Sequence, residues 1–84
     1  MKPRKLLQKA LQSAANLRFD EVCALALAFG FRLSRVNGSH HIFVHSEVRE
    51  LLNLQEVKGK AKPYQVKQLL SLVERYNLIL PGEE

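Results

Sequence analysis

Gly38-Ser39-His40 is the sequence's best candidate for chemistry. Asn37-Gly38 is a strong two-residue hairpin turn, and His40 follows it at the start of a β-patterned run, where the backbone is fixed while the side chain can face solvent. Histidine titrates closest to neutral pH, so it can take a proton from a ribose 2′-hydroxyl or give one to a departing 5′-oxygen. RNA carries its own nucleophile. Cleavage of this kind therefore needs only proton transfer and charge stabilisation at phosphorus, with neither metal nor covalent intermediate. An ordinary polar residue at a strand edge fits the same position, and the residues alone leave both readings open.

Other groups could join it. His41 and His45 have the opposite strand parity to His40, so the three do not converge on one metal, and no metal or small-molecule cofactor is expected. Lys58, Lys60 and Lys62 approach the start of the last helix, whose free N–H groups and positive dipole end favour an anion. They form either a phosphate clamp or a solvated lysine loop. Arg35 is a further candidate for a phosphate contact. Gly59 serves turn geometry, because a lone glycine lacks the spacing of a nucleotide-binding loop. Cys23 lies within an apolar helical pattern and reads as a buried filler.

These groups need elements to position them. Leu7, Ala10, Leu11 and Ala14 recur at helical spacing after Pro3, predicting a first helix over Pro3–Ala15. Asp20 is a good N-cap for a second helix with Val22, Leu25, Ala26 and Phe29 as its apolar stripe, ended by Gly30. From Phe31 the period changes to two, predicting a hairpin over residues 31–45. Phe43 shares parity with His41, and Ile42 and Val44 share it with His40, which leaves open the choice of buried face. Residues 46–52 read as a polar link, 54–57 as a short third strand and 58–62 as a basic loop. Pro63 opens a last helix running to Asn77, with Val66, Leu69, Leu70, Val73 and Tyr76 at helical spacing. The expected fold is α+β: a two-layer sandwich with a three-stranded antiparallel sheet, helices on one face and the order α-α-β-β-β-α.

The bulk numbers agree with one small domain spanning residues 1–84. Eighty-four residues support one modest core, and 46% hydrophobic with 25% charged residues is ordinary for a globular protein. No segment approaches the roughly 18 apolar residues of a membrane span, and the basic start runs into Gln8, Lys9 and Gln12 rather than an apolar signal. A cytoplasmic protein without a membrane partner is expected. Thirteen Lys+Arg against eight Asp+Glu give a net charge of +5, which suits a polyanionic partner.

Gly38-Ser39-His40-His41-Ile42-Phe43, followed downstream by Gly59-Lys60-Ala61-Lys62-Pro63-Tyr64-Gln65-Val66, resembles the HicA family of bacterial toxins. The resemblance covers roughly Asp20 to Asn77 and leaves residues 1–16 as an extra N-terminal helix. It implies a fold like that of double-stranded-RNA-binding domains, mRNA interferase activity and neutralisation by a HicB-type antitoxin. It also implies that His40 is the histidine needed for activity, with Gly38 and Ser39 as the turn and its polar neighbour. The expected function is that of a toxin cleaving mRNA without metal, with RNA contacts at Gly38, Ser39, Arg35, Lys58, Lys60 and Lys62. A non-catalytic RNA-binding module is the alternative, and a protein-interaction domain using the leading helix is a third class.

Overall fold

The computed structural model describes residues 2–83. Its elements are α1 (Pro3–Gln12), a 3-10 turn (Ala14–Asn16), α2 (Phe19–Ala28), β1 (Arg32–Asn37), β2 (His40–His45), β3 (Val48–Val57), β4 (Lys60–Ala61) and α3 (Pro63–Arg75). The strands form an antiparallel sheet in the order β1-β2-β3-β4. The fold is α+β in the expected element order, but the sheet has four strands rather than three.

The extra strand and a longer β3 come from stretches read as link and loop. Residues 48–57 alternate, with Val48, Leu52 and Leu54 buried and Arg49 and Leu51 exposed. Glu50 interrupts the apolar side of that pattern and so hid it. Its carboxylate is nonetheless satisfied on the helix side by the Tyr76 hydroxyl, 2.6 Å away, and by Arg75. Lys58 and Gly59, at φ 53° and 80°, form the two-residue turn that returns the chain as β4. Positive φ at both positions is the type I′ pattern. Across the other hairpin, Asn37 pairs with His40, so the loop residues are Gly38-Ser39 rather than Asn37-Gly38. Gly38 takes a left-handed φ of 59°, as the first loop position of a II′ turn requires.

Strand β2 settles which face is buried. Phe43 is in the core, the His41 ring meets Phe19 edge-on with centroids 4.7 Å apart, and the His45 ring meets Phe31 at 5.0 Å. His41, Phe43 and His45 thus face the helices, and His40, Ile42 and Val44 face away. Under the sheet, α2 and α3 contribute Val22, Leu25, Val66 and Leu69 to the core.

Helix α1 stops at Gln12, before the expected Ala15, and buries Leu6 and Ala10, whereas Leu11 is 66% exposed. It packs on α2, where Lys9 Nζ lies 3.0 Å from Glu21 Oε1. The N-cap position of α2 is Arg18 rather than Asp20, and the Arg18 N–H donates to Glu21 at 2.9 Å. That backbone donor, then Lys9, holds the Glu21 carboxyl below its usual range. The other end of α2 closes as a Schellman motif: the Phe31 N–H reaches the Ala26 carbonyl and the Gly30 N–H that of Leu27. Gly30 has φ 98°, and a Cβ there would stand 2.9 Å from His45 Nε2. The His45 ring has no room to give. Its Nε2–H donates to the Phe29 carbonyl at 3.1 Å, while Nδ1 accepts from the Glu47 N–H at 3.0 Å.

Two stability predictions follow from these contacts. Gly30→Ala should lower unfolding free energy by about 3 kcal/mol, and Gly59→Ala, strained in φ but facing open space, by about 1 kcal/mol; urea midpoints measure both. Glu21→Gln should cost about 1 to 2 kcal/mol at neutral pH. Because the folded-state pKa of Glu21 is depressed, the stabilisation is present above the unfolded value and lost as pH falls through the folded one. The gap between the two proteins in urea titrations should therefore start to narrow as pH falls to about 4 and close at lower pH.

Candidate functional site

Directly opposed residues of neighbouring strands share a face, so the pairing register maps the open side of the sheet. Asn37, His40 and Gln55 form one row across β1, β2 and β3. Arg35, Ile42 and Asn53 form the next, followed by Arg32 beside Val44. A register shift at Ser34 keeps Arg32 and Arg35 on the same side although they are three residues apart.

His40 is half-buried at the start of β2, and its Nδ1 lies 3.2 Å from Asn53 Oδ1. With that oxygen as acceptor, Nδ1 carries the ring proton and the lone pair lies on Nε2, which bonds no protein atom among the described residues. A neutral amide positions the ring without adding charge, and the free nitrogen suits a general base. Ser39 is not a partner of the His40 ring among the described residues. Its carbonyl instead accepts from the Glu56 N–H at 3.0 Å, tying the β1–β2 turn to β3, and lies 3.4 Å from His41 Nδ1.

Asn53 falls between the stretches read as link and as third strand, and sequence reasoning missed it. The available signal was the period of two, which puts Leu51, Asn53 and Gln55 opposite Leu52 and Leu54. Gln65 was missed as well. It is 2% exposed, and its Oε1 accepts the Gln55 N–H at 2.7 Å, securing the back of β3 from the first turn of α3.

The lysines lie at the same end of the sheet as His40, because β3 continues two residues beyond Gln55 before turning. They ride on a hairpin rather than a loose loop. The Gly59 carbonyl accepts the Phe19 N–H at 2.8 Å, and Arg18 bridges to Lys60. Lys60 pairs with Val57, and Lys62 occupies the N-cap position of α3. Among the described residues, ion pairs engage Arg4, Lys9, Arg18 and Arg75, and none engages Arg32, Arg35, Lys58, Lys60 or Lys62. The sheet's open side and turn end thus carry five cations outside these ion pairs, and Lys2, Lys5, Arg49 and Lys67 also lie outside them. Facing the helices, His41 and His45 are separated from His40 by the sheet, and no group of three His, Cys, Asp or Glu gathers as a metal site among the described residues. Cys23 is half-buried, and desolvation pushes its thiol up to about 11, which favours the protonated form at neutral pH.

Fold and site together define a basic α+β domain that presents one held imidazole beside uncompensated cations. Residues 19–73 match the family described as HicA toxin of bacterial toxin-antitoxin systems. The chain belongs to that family and is a toxin of such a system. The match starts at the first residue of α2, so α1 lies outside it. Comparison with curated proteins and with solved structures gave no match. Among the described residues no helix is long and apolar enough to cross a membrane.

The tautomer is directly observable. Long-range proton–nitrogen spectra of ring-labelled protein above the histidine titration range should show His40 protonated on Nδ1. Asn53→Leu should shift it toward the Nε2–H form, leaving His45, already Nε2–H, unchanged.

Proposed function

We propose that this toxin is an endoribonuclease that cleaves mRNA with one histidine and no metal, acts in the cytoplasm and is neutralised by a HicB-type antitoxin. The observation that carries the reading is the His40 ring, held at Nδ1 by Asn53 and free at Nε2 on an open basic face. Membership of the HicA family supports it independently.

In this mechanism His40 Nε2 takes the proton of a ribose 2′-hydroxyl. The 2′-oxygen bonds to phosphorus, the bond from phosphorus to the 5′-oxygen breaks, and the leaving oxygen receives a proton from solvent. The products are a 2′,3′-cyclic phosphate and a 5′-hydroxyl. Arg35, one row from His40, and the lysines at the turn end supply positive charge for the phosphates and for the charge that builds at phosphorus. Phosphate contacts of this kind hold RNA regardless of sequence and weaken steeply with salt. Gly38 and Ser39 present the strand end close to the backbone of the bound RNA. An antitoxin laid over the open face would cover His40 and the arginines together.

The test is incubation of wild-type and His40→Ala protein with a defined mRNA, with and without chelator. Wild type alone should cut, with chelator present or absent, and its fragments should end in 2′,3′-cyclic phosphate. His40→Ala should bind RNA with near-unchanged affinity and lose at least about 100-fold in cleavage rate. Ends bearing a 3′-hydroxyl, or loss of cutting in chelator, would refute the mechanism. Intact RNA in every lane, with both proteins folded, would leave a non-catalytic RNA-binding module.

A further inference from the structure

His40 does not stand alone in its row. Asn37 faces it from β1 and Gln55 from β3, so two side-chain amides flank the imidazole on the open side of the sheet. Gln55 directs its N–H away from β2, to Gln65. His40 and Gln55 are therefore a non-hydrogen-bonded pair, the kind in which opposed side chains come closest. On the other side, Asn37 is the last strand residue before the II′ turn and is exposed. Two strand spacings put the amides about 10 Å apart with His40 between them.

Both flanks are rigid. Gln55 is tied through its backbone to buried Gln65, and the neighbouring Glu56 N–H is tied to the Ser39 carbonyl. Asn37 is fixed by its pairing with His40 across a two-residue loop. The amide row lies at the turn end of the face, the Arg35 row comes next, and half-buried Ile42 and Val44 form the middle. Every phenylalanine lies in the core and the two tyrosines lie at the ends of α3, so the open face of strands β1 to β3 offers amides and guanidinium groups rather than aromatic platforms.

We propose that Asn37 and Gln55 form two nucleobase subsites, one on each side of the scissile phosphate, and that the substrate is single-stranded RNA read at these two bases. The inference rests on the ribonuclease reading for its placement of the phosphate at His40. A carboxamide carries donor and acceptor side by side and matches the paired donor and acceptor on a base edge. In a duplex those edges are paired, and the A-form major groove is too deep and narrow for short side chains on a flat sheet to reach. An unpaired strand can instead turn its bases onto the amides while its phosphates meet Arg35 and the lysines. The chemistry of cutting and the choice of site thus fall to different residues of one row.

The experiment separates these roles. Fluorescence anisotropy with labelled oligo(A), oligo(C) and oligo(U), and with an A·U duplex of the same length, is measured on His40→Ala protein so that no probe is cut. Cleavage ends produced by proteins retaining His40 are sequenced in parallel. Single strands should bind better than the duplex, with one homopolymer favoured by about tenfold or more. Adding Asn37→Ala or Gln55→Ala should each reduce that preference severalfold and leave affinity for the least favoured homopolymer unchanged. With His40 retained, each substitution should relax base preference on one side of the cut. Equal binding of all three homopolymers, preference for the duplex, or a preference that survives both substitutions in folded protein would overturn the subsites. Base-selective binding without cutting by wild type would overturn the ribonuclease reading and leave the subsites standing.

Discussion

The two-residue period of β2 is the constraint on which the rest of the molecule depends. It sends His41, Phe43 and His45 toward the helices and His40, Ile42 and Val44 away from them. A slip of one residue would put Phe43 in water and His40 in the core, and would break the pairing that brings Asn53 to His40. The register is held at both ends. At one end the Gly38-Ser39 turn is tied to Glu56; at the other, the His45 ring is held between the Phe29 carbonyl and the Glu47 N–H. Irregular pairing takes up one extra residue of β1 at Ser34 and two extra residues of β3 opposite the span from Phe43 to His45.

Histidines on the two faces illustrate how surroundings assign a role. His45 carries its proton on Nε2 because a carbonyl receives it there and a backbone donor occupies Nδ1. His40 carries it on Nδ1 because Asn53 receives it there, leaving the outer nitrogen free. Both nitrogens of the inner ring are thus occupied with structure. The outer ring has one anchored nitrogen and one available, the arrangement proton transfer needs. On the helix side Glu21 and Glu50 pair with Lys9 and Arg75, whereas among the described residues Arg32 and Arg35 of the open face have no such partner.

The order of elements, the apolar stripes of α2 and α3 and the hairpin around His40 were legible in the sequence because each follows a local period or a turn residue. Gly30 was legible for the same reason. Strand β3 was only partly so. Glu50 breaks its inward apolar pattern, and the Tyr76 hydroxyl and Arg75 that satisfy it lie far along the chain. Asn53 was lost with that strand, because its importance depends on a register linking residues 40 and 53. Leu6 replaced Leu11 on the buried side of α1 because either phase fits a short helix, and the side of α2 that receives it decides. The lysines were read as a loop because a strand of two residues carries no period. What identifies β4 is the left-handed φ of Lys58 and Gly59.

Strand β1 ends the sheet, and its residues are exposed throughout. Such an edge is a template on which a second chain can add a strand. Here Arg32 and Arg35 stand on one side of it, held in phase by the irregularity at Ser34. A second copy pairing edge to edge would bring arginines against arginines, and the bulge would interrupt the ladder midway. The charge available to a polyanion on the open face thereby also discourages growth of the sheet from chain to chain, so solubility at high concentration and attraction for polyanions are tied to the same two guanidinium groups.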